Sequence, residues 1–294
     1  MQIIYILMIT NKTPLLTLST CYYNIKSKFS STKYLFWANN LLSFVNKFNL
    51  VIYTDRESFS LLKILFVTNS AIAKKINVKI KIIIKPLEDF VGYKYKDHWS
   101  RNHETSGLEL HQNIDWKLNM LWCEKVHFVN ETITNKYFIT PFYGWCDIGY
   151  FRNRPDDTNT NTNILNEWPN PFKLIALTKE IHYACVENNL DIYTSLLADI
   201  RNNYKNKDQN KQPTNKLLNP CIAGGFFIIR PHIIKGYSAI FDNKLKYYFD
   251  NGYIVKDDQT ILLDCIATNP GLFCLHWEHY PQYDNWFMFQ RLLL

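Results

Sequence analysis

No two of the seven cysteines form a C-x-x-C pair, and their number is odd, which argues against a structural zinc site and a disulfide framework. Cys21, Cys123, Cys146, Cys185, Cys221, Cys265 and Cys274 are scattered, several within apolar runs such as Leu262–Ile266, and read as reduced, buried thiols. Long hydrophobic runs are also missing. Ile3–Ile9 is apolar but too short to span a bilayer, and Asn11 and Lys12 follow at once. It has neither a basic segment before it nor a small-residue cleavage site, which argues against a signal peptide, and Met8 is an alternative start. The expectation is a cytoplasmic protein with no transmembrane segment. A dense basic stripe, finger spacing and a helix-turn-helix pattern are absent, so nucleic acid is not an expected partner. A Gly-rich phosphate loop is absent too, which weighs against a nucleotidyltransferase.

What is present is a globular composition of 294 residues, 47% hydrophobic and 20% charged, long enough to bury a sizeable core. Lys and Arg number 33 against 26 Asp and Glu, and 33 − 26 = +7 suits anionic ligands such as nucleotide diphosphates. The 19 Tyr, 19 Phe and 8 Trp suit a core, and equally the walls of a sugar cleft, because a pyranose offers an apolar C–H face to an aromatic ring.

The first half of the chain alternates in period. Leu15–Thr20, Leu50–Thr54 and Lys79–Lys85 read as strands. A helix capped by Ser30 or Ser31 and another over Ser58–Val67 lie between them. This β-α-β-α-β order predicts a mainly parallel sheet flanked by helices, with Thr20–Tyr23 and Thr54-Asp55 at its ligand-binding mouth. Asn113–Val129 reads as one amphipathic helix leading into the apolar run Tyr137–Asp147, and Asn153–Pro171 as loop. Phe172–Thr178 and Cys221–Arg230 read as strands. The polar tract Arg201–Pro220 between them reads as mobile, a lid over the site. Helices over Ile233–Asp250 and from Asp258 to Ala267 and a strand over Gly271–His276 complete the chain. No repeat or boundary divides it. One domain is expected over 1–294, with a nucleotide-binding lobe at about 15–150 and an acceptor and sugar lobe at about 151–294.

Four constellations carry chemistry. Asp147 ends an apolar strand, where a carboxylate is costly to bury unless it pairs or binds a cation. Mg²⁺ or Mn²⁺ held there would neutralise a leaving diphosphate, and Gly149 would let phosphate approach the backbone. Pairing with Arg152 or Arg154 is the structural alternative. Asp257-Asp258-Gln259 opens a helix, so one acid can cap it while the other serves as general base, with Gln259 fixing sugar hydroxyls. Gly224-Gly225 before a strand permits close approach of a ligand, or marks a bulge. His276 and His279 are further candidate metal ligands.

In this order and spacing the chain resembles the HtrL/YibB-type family, also called WlaTC/HtrL glycosyltransferases. The resemblance rests on Thr20-Cys21-Tyr22-Tyr23-Asn24-Ile25 with Ser27-Lys28-Phe29, Tyr34 and Trp37, and on Val51-Ile52-Tyr53-Thr54-Asp55. Trp116-Lys117-Leu118, Trp145-Cys146-Asp147-Ile148-Gly149-Tyr150-Phe151-Arg152, Gly224-Gly225-Phe226-Phe227, Asp257-Asp258-Gln259 and Asn269-Pro270-Gly271-Leu272-Phe273 extend it from about residue 15 to 276. The resemblance implies a GT-A-like nucleotide-diphospho-sugar transferase fold. It implies a nucleotide-sugar donor and a glycan, glycolipid or glycoprotein acceptor in surface-glycan synthesis. It would place Thr20, Tyr22 and Asp55 in the nucleotide pocket, Tyr22 or Tyr23 stacked on the base, Lys117 at the phosphates and Asp147 on the metal. Many GT-A enzymes have D-x-D at that last position. This chain has Asp147 with Gly149, so His276 or His279 would complete the metal site, or metal dependence is weak. A catalytically lapsed glycan binder on the same fold is the alternative reading. The Asn-, Lys- and Ile-rich composition fits an A/T-rich genome; a large DNA virus is one such source, and the location would then be the host cytoplasm.

Overall fold

A computed structural model describes residues 13–154, 162–206, 211–215 and 221–294. Ile3–Ile9 and the centre of the expected 153–171 loop lie outside the described residues. In chain order the elements that position the site are β1 (Leu16–Tyr22), α1 (Ser31–Ser43), β2 (Asn49–Thr54), α2 (Arg56–Thr68), β3 (Ile80–Ile84), α3 (Lys96–Thr105), α4 (Trp116–Cys123), α5 (Lys125–Thr134), β4 (Phe142–Cys146), α6 (Pro171–Ile175), β5 (Ile181–Cys185), α7 (Leu190–Asn206), β6 (Ile222–Ile229), α8 (Ile234–Asp250), α9 (Asp258–Thr268), β7 (Phe273–Trp277) and α10 (Met288–Leu292).

The seven strands form one sheet in the order β3-β2-β1-β4-β6-β5-β7. All run parallel except β6, which is antiparallel to both β4 and β5. The expected mainly parallel sheet flanked by helices is therefore the observed one. Period-2 alternation feeds a core on each face. Val51, Tyr53, Trp145 and Phe227 point to one, beneath α4, α5, α8 and α9. Leu50, Ile52, Phe226 and Ile228 point to the other, with α1 and the C-terminal segment. With both faces covered, β1 and β2 are buried at every residue, and only small polar side chains such as Thr17, Ser19 and Thr20 interrupt their apolar residues.

Helix starts follow side-chain caps. Ser30 accepts the Lys33 N–H at 3.3 Å, and Asp115 accepts the Lys117 N–H at 2.9 Å. Three expectations are corrected. The helix expected over Asn113–Val129 starts later, behind the Asp115 cap, and divides at Glu124 into α4 and α5. The buried Glu124 carboxylate accepts the N–H groups of Val91 and Gly92 at 2.7 and 3.0 Å, which fixes the junction. Phe172–Thr178 is not a strand: Asn170 caps, Pro171 occupies the first turn, and α6 results. The strand of that region is β5. The tract expected to be mobile from Arg201 is helical to Asn206. Within 211–215, Gln212 donates to the Ile254 carbonyl at 2.8 Å, and Thr214 N–H to Tyr248 Oη at 3.1 Å. The remainder of the expected lid, 207–210 and 216–220, lies outside the described residues.

Candidate active site

The carboxyl ends of β1 and β4 meet the amino end of antiparallel β6 at one edge of the sheet, and the chemistry-bearing residues gather there. A cavity of about 370 Å³ is lined by Asp147 and Gly149 after β4, Gly224 and Gly225 of β6, and Asp257, Asp258 and Gln259 at the start of α9. Lys28, Phe29, Tyr34, Trp122, Arg152, Trp286 and Phe287 form much of the remaining wall. A smaller cavity of about 110 Å³ adjoins it under the end of β1, lined by Cys21, Tyr22, Tyr23, Leu118 and Leu121, and shares Tyr34, Trp122, Lys125, Asp147, Gly149 and Arg152 with the first. The larger one has the size of a small-molecule site.

The centre of the assembly is a residue that the sequence reading missed. Lys125, the first residue of α5, is 6% exposed. Its Nζ lies 3.2 Å from Asp147 Oδ1, 2.9 Å from Asp258 Oδ2 and 2.8 Å from the Gly224 carbonyl oxygen. Three acceptors thus meet the three donors of one ammonium. Burial pulls the Lys125 pKa down, but the carboxylates of Asp147 and Asp258 outweigh it and hold the group charged, above the usual lysine value. Asp258 shows the opposite balance. Burial raises its carboxyl most, Lys125 opposes and Asp257 adds to the rise, leaving it at about 6. Asp257 is raised as well, by burial, against Lys256 and Lys28.

The two acids divide as their position at a helix start allows. Asp257 caps α9, accepting the Gln259 N–H at 3.1 Å, and Asp258 pairs with Lys125. Asp147 also accepts the Trp145 indole N–H on Oδ1 at 2.6 Å, which fixes its rotamer, and its backbone N–H donates to Gly225 O at 2.8 Å. Oδ2 carries none of these bonds. It lies 3.3 Å from where a Cβ on Gly225 would stand, so glycine leaves space beside it. Gly224 is tighter: a Cβ there would sit 2.6 Å from Asp258 Oδ2, so this glycine makes room for the acid as well as offering its carbonyl to Lys125. Gly149 faces Trp37, 2.8 Å from a would-be Cβ. Gln259 Oε1 and Tyr22 Oη are buried with no hydrogen-bond partner among the described residues, and their residues line the larger and smaller cavity respectively. Arg152 donates to Gly149 O at 3.0 Å and stacks 4.5 Å from Trp37 and 4.9 Å from Phe287; Lys28 lies 5.1 Å over Trp122.

Other expected site residues lie elsewhere. Asp55 caps α2, accepting the Ser58 N–H at 2.6 Å, and Thr20 is buried within β1; neither lines either of these two cavities. Tyr23 reaches the smaller cavity, but its hydroxyl donates to the Lys85 carbonyl at 2.8 Å and its ring meets Phe90 edge-on, which does not suit stacking on a base. Lys117 stands over Trp116 at 6.0 Å, outside both cavities. His276 and His279 do not join Asp147. His276 lies 3.0 Å from His182, and His279 is exposed. The signal for Lys125 was its spacing, since Leu118, Leu121, Trp122 and Lys125 fall on one helical stripe, and a lysine on an apolar stripe requires buried partners. Arg154 pairs with Asp284 at 2.8 Å rather than with Asp147.

As a metal position, Asp147 offers one carboxylate oxygen. That donor set suits a Mg²⁺ or Mn²⁺ ion arriving with a diphosphate, which supplies the other ligands, and does not make an all-protein cage. Among the described residues no helix is long and apolar enough to cross a membrane.

No curated protein matches the sequence significantly. Among solved structures, the chain is similar to an active-site mutant of LgtC, with 10% identity over 88% of this chain and 72% of that one, and a TM-score of 0.42. It is also similar to galactosyltransferase LgtC in complex with donor and acceptor sugar analogues, with 12% identity over the same shares and a TM-score of 0.39. Both scores are low, and the chemistry of the site rests on its own geometry. Sequence is more decisive: the model of a bacterial protein family of unknown function, HtrL_YibB, matches residues 20–293, so the chain belongs to the HtrL_YibB family.

Proposed function

We propose that the protein is a glycosyltransferase that moves a sugar from a nucleotide-sugar donor to a glycan-type acceptor. The observation that carries this reading is the Asp147–Lys125–Asp258 assembly at the strand ends, set in a cavity walled by aromatic rings and cations. The smaller cavity takes the base against Leu118, Leu121 and Trp122, with Tyr22 Oη as a polar contact. Lys28 and Arg152 face the diphosphate, and Gln259 Oε1 accepts a donor-sugar hydroxyl. In an inverting reaction the acceptor oxygen forms a bond to the anomeric carbon as the bond from that carbon to the phosphate oxygen breaks. The diphosphate leaves with the electron pair, and the acceptor proton passes to Asp258, whose raised pKa suits a base near neutrality. Lys125 holds Asp258 and Asp147 in register throughout. A divalent ion on Asp147 Oδ2 would add charge neutralisation at the diphosphate.

The catalytically lapsed glycan binder draws support from one feature, the prior engagement of both carboxylates by Lys125. Thermal unfolding with UDP, GDP, CMP or dTDP, each with and without Mn²⁺, separates the readings. One nucleotide diphosphate at a hundred times its dissociation constant should add about 2.7 kcal/mol. No response to any of them, with binding on a glycan array, would replace the transferase by the binder.

A further inference from the structure

We propose that His182, Cys274 and His276 form a zinc site that clamps the edge strand β7 to β5, apart from the cavity at the sheet mouth. The parallel register sets His182 opposite Cys274 and Ala184 opposite His276, so the three side chains share one face of two neighbouring strands. His182 Nδ1 and His276 Nε2 are 3.0 Å apart, and the three ligand atoms all lie within 4.8 Å of one another. Zinc bonds of roughly 2.0 Å to nitrogen and 2.3 Å to sulfur place tetrahedral ligand atoms about 3.3–3.6 Å apart, so a small rotation of Cys274 closes the set.

The surroundings select the ligating atoms. His182 Nε2 faces the Lys179 carbonyl oxygen at 3.0 Å, and since a carbonyl only accepts, the proton is on Nε2 and the lone pair on Nδ1. Burial lowers the pKa of both imidazoles, that of His276 to about 4 with His182 adding to the effect, so both are neutral at pH 7. Cys274 is the one cysteine of the seven that is not fully buried. Burial raises its thiol while Lys179 opposes the rise. On binding, Cys274 gives up its S–H proton and the His276 N–H moves from Nε2 to Nδ1, so one proton is released per ion. Three protein ligands leave a fourth position for water.

The clamp has a structural consequence. Among the described residues β7 is an edge strand, paired with β5 alone. The chain that follows it carries Asp284, Trp286 and Phe287 into the wall of the mouth cavity, and Phe289 packs 5.5 Å from the His276 ring. A metal at the strand pair thus steadies that wall from beneath.

The test uses the whole chain, stripped with chelator and titrated with Co²⁺ as a spectroscopic stand-in for zinc. The expected result is one equivalent of cobalt with a thiolate charge-transfer band, displaced by Zn²⁺ and present in Asp147→Asn but absent in Cys274→Ser. Zn²⁺ at a hundred times its dissociation constant should raise Tm by about 5 °C in the wild type, and the rise should vanish in Cys274→Ser and His182→Gln. If no band forms, or if it survives in Cys274→Ser, the pair is only the hydrogen bond His276 Nε2–H to His182 Nδ1 and the proposal fails. Cys274→Ser is conservative at a partly exposed position, so its folding is not in question.

Discussion

Lys125→Met removes the cation from between Asp147 and Asp258 while keeping most of its stem. In the wild type Asp258 carries a proton up to about pH 6, because burial outweighs the nearby ammonium. Without that ammonium the opposing influence is gone, and burial and Asp257 push the carboxyl higher still. Between pH 6 and 8 the folded variant therefore holds a proton that the unfolded chain, with an aspartate near 3.9, has released. Unfolding free energy then falls as pH rises, by 1.36 kcal/mol per unit for one proton. The wild type has ionised Asp258 over the same range and is flat with respect to this group above about pH 6. The deficit of Lys125→Met should widen by as much as about 2.7 kcal/mol between pH 6 and 8. Added to the hydrogen bonds lost at Gly224 and Asp147, it should reach about 4 kcal/mol at pH 8, within the range for breaking one side of a buried pair. Urea unfolding at pH 6, 7 and 8 measures it. In Lys125→Met/Asp258→Asn the titrating carboxyl is gone and the slope should vanish. A deficit equal at all three pH values, or a slope surviving in the double variant, would refute the reasoning.

Further expectations follow from the same geometry. Gly224→Ala drives a methyl to 2.6 Å from Asp258 Oδ2 and should cost about 1–3 kcal/mol in chemical denaturation, whereas Gly225→Ala, at 3.3 Å from Asp147, should cost less. Asp55→Ala should cost about 1 kcal/mol as a lost helix cap yet leave nucleotide affinity unchanged by calorimetry; a large loss of affinity would restore Asp55 to the pocket. With Asp258 as base, kcat/KM should climb roughly tenfold per unit up to about pH 6 and level off above it, since only the deprotonated carboxylate accepts the proton. A flat profile from pH 5 to 7 would assign the base elsewhere.

Much of this architecture was legible because local signals agreed with burial. β1, β2 and β6 are rich in apolar residues and buried almost throughout, and Ser30 and Asp257 mark helix starts that the structure uses as caps. The errors have physical reasons. Phe172–Thr178 has the composition of a strand, but Asn170 and Pro171 nucleate a helix there. β5 is only five residues long, and His182, which faces His276, interrupts it after its first residue, so its apolar pattern is too short to register. The reversal of β6 depends on pairing between segments about eighty residues apart, which no local pattern records. At the site, Asp147, Asp257, Asp258, Gln259 and the paired glycines were readable as acids and close-approach residues in apolar settings, and they converge. Asp55 and Lys117 were not separable from site residues by sequence, because a capping acid and a half-buried lysine outside the cavities look the same in one dimension as site residues. Lys125 was readable in principle from its place on the stripe with Leu118 and Leu121, and its partners lie 22 and 133 residues away in the chain.

The central claim is that Asp147 and Asp258 do chemistry on a nucleotide sugar. The direct measurement is release of nucleotide diphosphate from the sugar donor of whichever base stabilises the protein, by wild type, Asp147→Asn and Asp258→Asn, each first shown to be folded. The account predicts turnover by the wild type and a loss of at least roughly a hundredfold in both variants, on the scale of a missing general base. Wild-type rates in either variant, or nucleotide binding by the wild type with no turnover alongside any acceptor glycan, would contradict it.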